Sequence, residues 1–404
     1  MRLCGTSSLK KNIVRKLSAG VTALLVISVA PAHAILSPST IPAVFSEMLL
    51  SPILANPSMI LIDAQSGEVV YEKNSNSPRK PASTLKIFSA AATLRYMDPN
   101  EVFRTSVSLG LKPKTLVIQG SYDPWISYVH YEAVKMKRTS LPRLAFNTLS
   151  AVKKANNGSA RGLTIEYSEL NSRDVANFRA FFKKRGYTPV FKRVTSSVAL
   201  ENAGAEIVSS DSLPVSEILE YMMLWSDNVL ADRLAKLASK RAGNAFSEEG
   251  IAVTFAQVLL DLGIDPSRMI VADGSGLSRE NRVSAKTMAD LLLKLRKDPQ
   301  YEVLYTSLPV GGVSGTLRNR FLTTAPSAVG LVHAKTGTLN GTVSLAGYIE
   351  SGEREYIFVT VADKIPRGNR ASDKARALMD RILGRIAAPT VAAVPAIDSS
   401  TATS

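Results

Sequence analysis

Thiol and imidazole groups are almost missing from this chain. One cysteine, Cys4, and three histidines occur in 404 residues. Cys4 precedes an apolar stretch, "LSAGVTALLVISVA", that follows Lys10, Lys11, Arg15 and Lys16 and ends near "AHA" (Ala32-His33-Ala34). A basic region, a short apolar run and a small-x-small site read as a secretory signal over residues 1–34. The run is about 14 residues, short of the roughly 20 a spanning helix needs. A retained N-terminal anchor is the alternative to cleavage. No later run is long and apolar enough to span a bilayer. Once residues 1–34 are removed, no cysteine remains, which excludes disulfides and thiol chemistry. The two histidines then left are His130 and His333. No H-x-x-x-H spacing exists, which argues against a zinc hydrolase. A Ser-His-Asp triad is equally hard to staff. The base of any hydrolase here is expected to be something other than histidine.

Acidic residues are also scarce, 34 against 49 Lys and Arg, for a net charge of +15. Residues 1–34 carry five of those positive charges and no negative one, leaving +10. Residues 99–202 hold 17 Lys/Arg and 7 Asp/Glu, again a surplus of 10, so the rest of the mature chain is neutral overall. This split marks 99–202 as an inserted basic accessory domain. It is either a solvated surface or a contact with anionic wall polymers. The net charge as a whole suggests cell-wall polymer, membrane surface or nucleic acid as partner, and with a secretory signal nucleic acid is the weakest of the three.

The remaining pattern reads as α/β. "SMILIDAQSGEVVYEK" (58–73) is a hairpin turning at Gly67. The segment 35–57 leads into it, with a helical stretch over 41–50. "TSVSLG" and "TLVIQG" are short strand candidates in the basic segment. "VSEILEYMMLWSDNVLADRLAKLASK" carries helical spacing on both sides of "SDN". "AVTFAQVLLDLG" and "SAKTMADLLLKLRKDP" are further helices, the second capped by Ser284. Two strands, "GTVSLAGYIE" and "EYIFVTVAD", and a closing helix, "KARALMDRILGRIAA", follow. Residues 388–404 carry little charge and no periodicity and are expected to be a disordered tail. A catalytic domain from 35–98 and 203–387 is therefore interrupted by 99–202.

Three short motifs change the meaning of this layout. "STLK" places Ser83 three residues before Lys86, at the start of a helix that runs to about Met97. "SDN" is Ser226-Asp227-Asn228, and "KTGT" is Lys335-Thr336-Gly337-Thr338. Each alone is weak. In this order S-x-x-K, S-D-N and K-T-G are the signature of penicillin-binding proteins and class A β-lactamases. The sequence most resembles the class C, low-molecular-mass penicillin-binding proteins of peptidase family S13, which are D-alanyl-D-alanine carboxypeptidases and endopeptidases. "DGSGLSRENRVSA" (273–285) and "SLPVGGVSGTLRNRF" (307–321) are similar to further stretches of that group. "LVIQGSYDP" (116–124) is similar to a strand and loop of its accessory domain, except that Tyr122 stands where glycine is usual. The gap from Ser83 to Ser226, 226 − 83 = 143 residues, matches the family's long insertion in kind and is shorter than usual for it.

The resemblance implies an antiparallel sheet flanked by helices, with a helical lobe and an inserted domain. It implies a serine nucleophile, Ser83, activated by Lys86, since a free hydroxyl is a poor nucleophile at neutral pH. Lys86 must then be neutral, through burial or a second cation, with Lys335 expected in that part. Ser226 is expected to relay a proton and Asn228 to hold the substrate amide. Lys335, Thr336 and Thr338 are expected to receive the substrate carboxylate, and Gly337 to leave room for it along the strand. The backbone N–H groups of Ser83 and Thr338 would form the oxyanion hole. Asp227, Asp273 and Gly274 read as architecture. The expected substrate is peptidoglycan stem peptide, with β-lactams as inhibitors and neither metal nor cofactor required. A β-lactamase and a silent wall-binding relative are the alternatives. The first is disfavoured because the chain has no clear E-x-x-L-N between Ser226 and Lys335, and the second because every motif residue is present.

Overall fold

The computed structural model describes residues 36–388. The expected signal over 1–34, and the expected tail from 389 on, lie outside the described residues. The ten strands among the described residues are β1 (Ser58–Asp63), β2 (Val69–Lys73), β3 (Arg104–Gly110), β4 (Thr115–Gln119), β5 (Thr164–Ser168), β6 (Val190–Arg193), β7 (Ala203–Asp211), β8 (Val332–Leu339), β9 (Thr342–Ser351) and β10 (Arg354–Ala362). They form two five-stranded sheets, ordered β2-β1-β10-β9-β8 and β6-β5-β4-β3-β7.

The first sheet is antiparallel throughout. β1 is buried along its whole length, so its period-2 alternation sorts apolar residues between two cores rather than between core and water. Ile60, Ile62, Ile357 and Val359 face a helical lobe. Met59, Leu61 and Phe358 face the helices Ile41–Met48 and Asn369–Gly384. In the lobe the helix Lys86–Tyr96 is buried from Lys86 through Leu94. Its Ala90-Ala91-Ala92 run lets neighbouring helices approach closely. β8 lies at the open edge of the sheet, beside the lobe.

The second sheet is mixed. β3 runs antiparallel to β4 and β7, while β4, β5 and β6 are parallel. Parallel neighbours need crossovers, supplied by the helices Leu141–Ala155 and Ser172–Lys183. Only β3 and β4 of these strands were expected. β7 runs to Asp211, so this layer continues past the expected boundary at 202. Ala388, expected to open the tail, instead bridges to Ser351.

One buried cation ties the two layers together. Arg233, on the helix Asn228–Arg241, reaches Asp174 at 3.3 Å, the Tyr128 hydroxyl at 2.7 Å and the Pro124 carbonyl at 3.2 Å. Tyr122, the departure from the usual glycine, sits at φ +56°. A tyrosine there carries the strain of left-handed backbone. Its ring stacks on Phe246 at 4.3 Å and its hydroxyl accepts from Arg193 at 2.9 Å, which offsets that strain.

Candidate active site

Ser83 stands on a single 3₁₀ turn, Ala82–Leu85, and the α-helix begins only at Lys86. The sequence predicts a helix through both residues; the tighter turn is the difference that matters. With three residues per turn, side chains at i and i+3 eclipse, and Lys86 Nζ lies 3.0 Å from Ser83 Oγ. Ala82, just before the serine, has φ +50°. Its surroundings hold it there. A Cβ on Gly276 would come within 1.9 Å of the Ala82 carbonyl oxygen, so the loop of Asp273 packs directly on the turn. From the other side, the Ser344 and Thr84 hydroxyls both donate to the Pro81 carbonyl, at 2.6 and 2.7 Å.

Lys86 is fully buried. Beyond Ser83 it donates to Asn228 Oδ1 at 2.6 Å and to the Ser275 carbonyl at 2.7 Å. Both of those atoms only accept, so two protons of Nζ are committed to them. When Lys86 loses a proton, the lone pair faces the third direction, toward the Ser83 hydroxyl. Burial brings this amine down to about 8, opposed by the carboxylates of Asp232, Asp273 and Asp227. Lys335, also fully buried, falls well below the ordinary lysine range, through burial first and the charge of Lys86 second. Of the two routes expected to neutralise Lys86, burial or a second cation, burial is the one that lowers it, and the repulsion between the two amines is felt at Lys335.

Ser226 caps the helix Val215–Trp225 in left-handed conformation, φ +59°, and so breaks the helical run in two. Asp227 caps the next helix, accepting from Leu230 N–H at 3.0 Å, as its architectural reading requires. Ser226 Oγ accepts from Lys335 Nζ at 2.8 Å. The expected relay thus has Lys335 as the partner of Ser226, and Lys86 as the partner of Ser83 and Asn228.

β8 brings the third motif against the serine turn. A Cβ on Gly337 would lie 2.1 Å from Ser344 Oγ and 2.8 Å from the Pro81 carbonyl. Glycine is required here by packing against that turn, rather than by room for a ligand along the strand as expected. Thr336 donates to Thr316 at 2.8 Å, and Thr338 accepts from Arg376 at 3.0 Å. His333 shares the strand face of Lys335 but stacks on Tyr305 at 5.2 Å and lies 3.7 Å from Glu350. Burial lowers its pKa.

Four groups at the site escape the sequence reading. The Ser275 carbonyl is backbone, visible only as part of a loop held by Asp273, which accepts from the N–H groups of Ser275, Gly276 and Ser278. Asp232 lies four residues past Asn228, one helical turn on, and its burial raises it to about 6. That spacing was a usable signal. Thr316 lies in the glycine-rich 307–321 stretch. Arg376 comes from the last helix, and nothing local announces it.

Comparison with known proteins agrees with this geometry. The family model of the D-Ala-D-Ala carboxypeptidase 3 (S13) family matches residues 43–139 and 152–386. Carboxypeptidase DacB of Mycolicibacterium smegmatis is 27% identical over 384 residues, 82% of each chain. The D-alanyl-D-alanine carboxypeptidase of an Actinomadura species is 39% identical over 163 residues, covering 39% of this chain and 30% of that one. Among solved structures, penicillin binding protein 4 (dacB) from Haemophilus influenzae, complexed with a β-lactam, superposes with a TM-score of 0.63 at 19% identity, over 84% of this chain and 98% of that one. A serine–lysine site between a helical lobe and an antiparallel sheet, matched along most of its length by one family, settles the kinship: this chain belongs to the S13 family of D-Ala-D-Ala carboxypeptidases, the penicillin-binding serine peptidases.

Proposed function

We propose that Ser83 attacks the carbonyl of the penultimate D-alanine in a peptidoglycan stem peptide, with Lys86 as its base. The observation that carries this is the Lys86 amine, 3.0 Å from Ser83 Oγ and held on its other sides by two pure acceptors. The proton leaves Oγ for Nζ as the C–O bond forms. The backbone N–H groups of Ser83 and Thr338 stabilise the oxyanion. Ser226, held by Lys335, relays that proton from Lys86 to the departing nitrogen, and Lys86, neutral again, then takes a proton from the water that attacks the seryl ester and returns one to Ser83 Oγ. Asn228 positions the substrate amide while orienting Lys86. Thr336 and Thr338 receive the terminal carboxylate. Arg376 adds a permanent cation beside Thr338, which the buried Lys335 is poorly placed to provide. The same chemistry serves release of terminal D-alanine and cleavage of D,D cross-links.

The location we infer is outside the cytoplasm, where this substrate lies, after cleavage near Ala34. We further infer that the surplus charge of 99–202 meets an anionic component of the envelope. Intact mass after mixing with benzylpenicillin tests the chemistry: a one-drug adduct is expected, absent in Ser83→Ala, with D-alanine release cut by at least ~10⁴-fold. Hydrolysed drug without an adduct would instead make the chain a β-lactamase. Rates on a D-Ala-D-Ala pentapeptide and on a cross-linked dimer separate the two peptidase reactions.

A further inference from the structure

Three of the seven acids of 99–202 pair outside the segment and so do not offset its surplus of cations. Glu101, Glu169 and Asp174 pair with Arg241, Lys240 and Arg233 of the helical lobe, and Glu166 pairs with Lys192. Around the helix His130–Lys135 the cations are differently placed. Lys137, Arg143 and Arg185 are exposed and make no ion pair among the described residues. They border two adjoining grooves that share His130, Val134 and Arg143. One, about 420 Å³, is walled by Lys137, Arg138, Ser140 and the β7 residues Ser209, Ser210 and Asp211, the last already paired with Arg104. The other, about 470 Å³, is apolar, walled by Pro142, Phe146 and Phe181 with Arg185 at its rim.

The rim is apolar too. Tyr131 is 74% exposed, Val134 63%, Phe146 57% and Val129 50%, all within 18 residues of chain (146 − 129 + 1). A hydrophilic glycan or phosphate polymer would satisfy the cations and leave these aliphatic and aromatic side chains in water. An anionic bilayer satisfies both, since acyl chains take the apolar rim and headgroups take the cations. We propose that this face, centred on Val134 and Arg143, is a peripheral binding surface for membranes bearing anionic phospholipid. The proposal deepens the envelope contact inferred above by naming its partner. The protein would lie on the membrane through this face, consistent with the absence of any helix among the described residues long and apolar enough to cross one.

The described residues 36–388 hold both sheets, and the chain without residues 1–34 is the protein to test. The probe is co-sedimentation with vesicles of phosphatidylcholine, alone or mixed with phosphatidylglycerol. Binding is expected only with the anionic lipid, weakening as salt rises. Lys137→Glu with Arg143→Glu should lower the partition by at least ~10-fold, at about fivefold per charge near such a surface. Val134→Ser with Phe146→Ser should also lower it. Benzylpenicillin labelling of Ser83 in each variant serves as the control of fold. A protein that labels normally but ignores both vesicles overturns the surface and spares the catalytic reading. A protein that binds vesicles without labelling does the reverse. Equal binding to both vesicles, unchanged binding in the variants, or retention on purified sacculi without vesicle binding would each overturn the proposal, the last in favour of a wall polymer.

Discussion

At the edge of the first sheet, Lys86 and Lys335 are shut away from water and coordinated almost wholly by neutral oxygens. On the layer of the second sheet, Lys137, Arg143 and Arg185 stand in water with no carboxylate partner among the described residues. The same residue type is put to opposite uses. Withdrawn from solvent, an ammonium loses its hydration and becomes willing to give up its proton. Left in solvent, it keeps the proton and acts only through its field. On the proposed reading, one chain makes a base from one lysine and a charge from another by burial alone.

The sharpest way to break this contrast is to remove the buried base. Lys86→Met should cut acylation by benzylpenicillin by about 10³-fold, within the range for loss of a general base. In the unaltered protein, kcat/KM for acylation should climb with pH and level off above about 8, because only the neutral amine accepts a proton and burial brings its pKa to about 8. Asp232→Asn removes the first of the carboxylates that hold Lys86 up, so the rising limb should move to lower pH. A limb that stays in place would mean that Asp232 does not reach the amine electrostatically.

Next in size is the joint between the layers. Arg233→Ala leaves Asp174 buried without its cation, and chemical denaturation should register a loss of about 3 kcal/mol. Gly337→Ala probes the packing account of the third motif. Overpacking against Ser344 and Pro81 should cost about 1–3 kcal/mol and slow acylation, because the serine turn must shift. Unchanged stability would restore the reading in which Gly337 simply leaves space. Smallest is Arg104→Ala on the second sheet, whose partners Glu206 and Asp211 are about half exposed. Less than about 1 kcal/mol is expected, falling further with added salt.

Much of the site could be read in the sequence because its chemistry sits in short local patterns. Ser83 and Lys86 are separated by one turn, the break at Ser226 falls inside a helical pattern, and Ser284 announces its helix. The first sheet was also legible, since its hairpins join consecutive strands of clear apolar character. The second sheet was not. β5 and β6 are five and four residues long. β7 is half exposed along its length and alternates weakly. Parallel pairing also leaves no turn signature between partners. The last helix was expected from about 374 and starts at Asn369, because "NRASD" is polar and carries no stripe. The burial of Lys335 was not legible for a different reason. Only the closed fold shows that it is sealed beneath Ser226.

The separation along the chain of the groups around Lys86 has a consequence for biosynthesis. Asn228 lies 142 residues beyond it and the Ser275 carbonyl 189. The sheet behind the site closes only when β1 meets β10, near the other end of the described chain. Such distant pairings form late and together. Until they form, Lys86 remains hydrated and protonated like any surface lysine, and the serine has no base. On the proposed mechanism a nascent chain is therefore inert toward peptide bonds, and hydrolytic competence arrives in one step with the completed fold. No propeptide is needed to keep the chain silent beforehand.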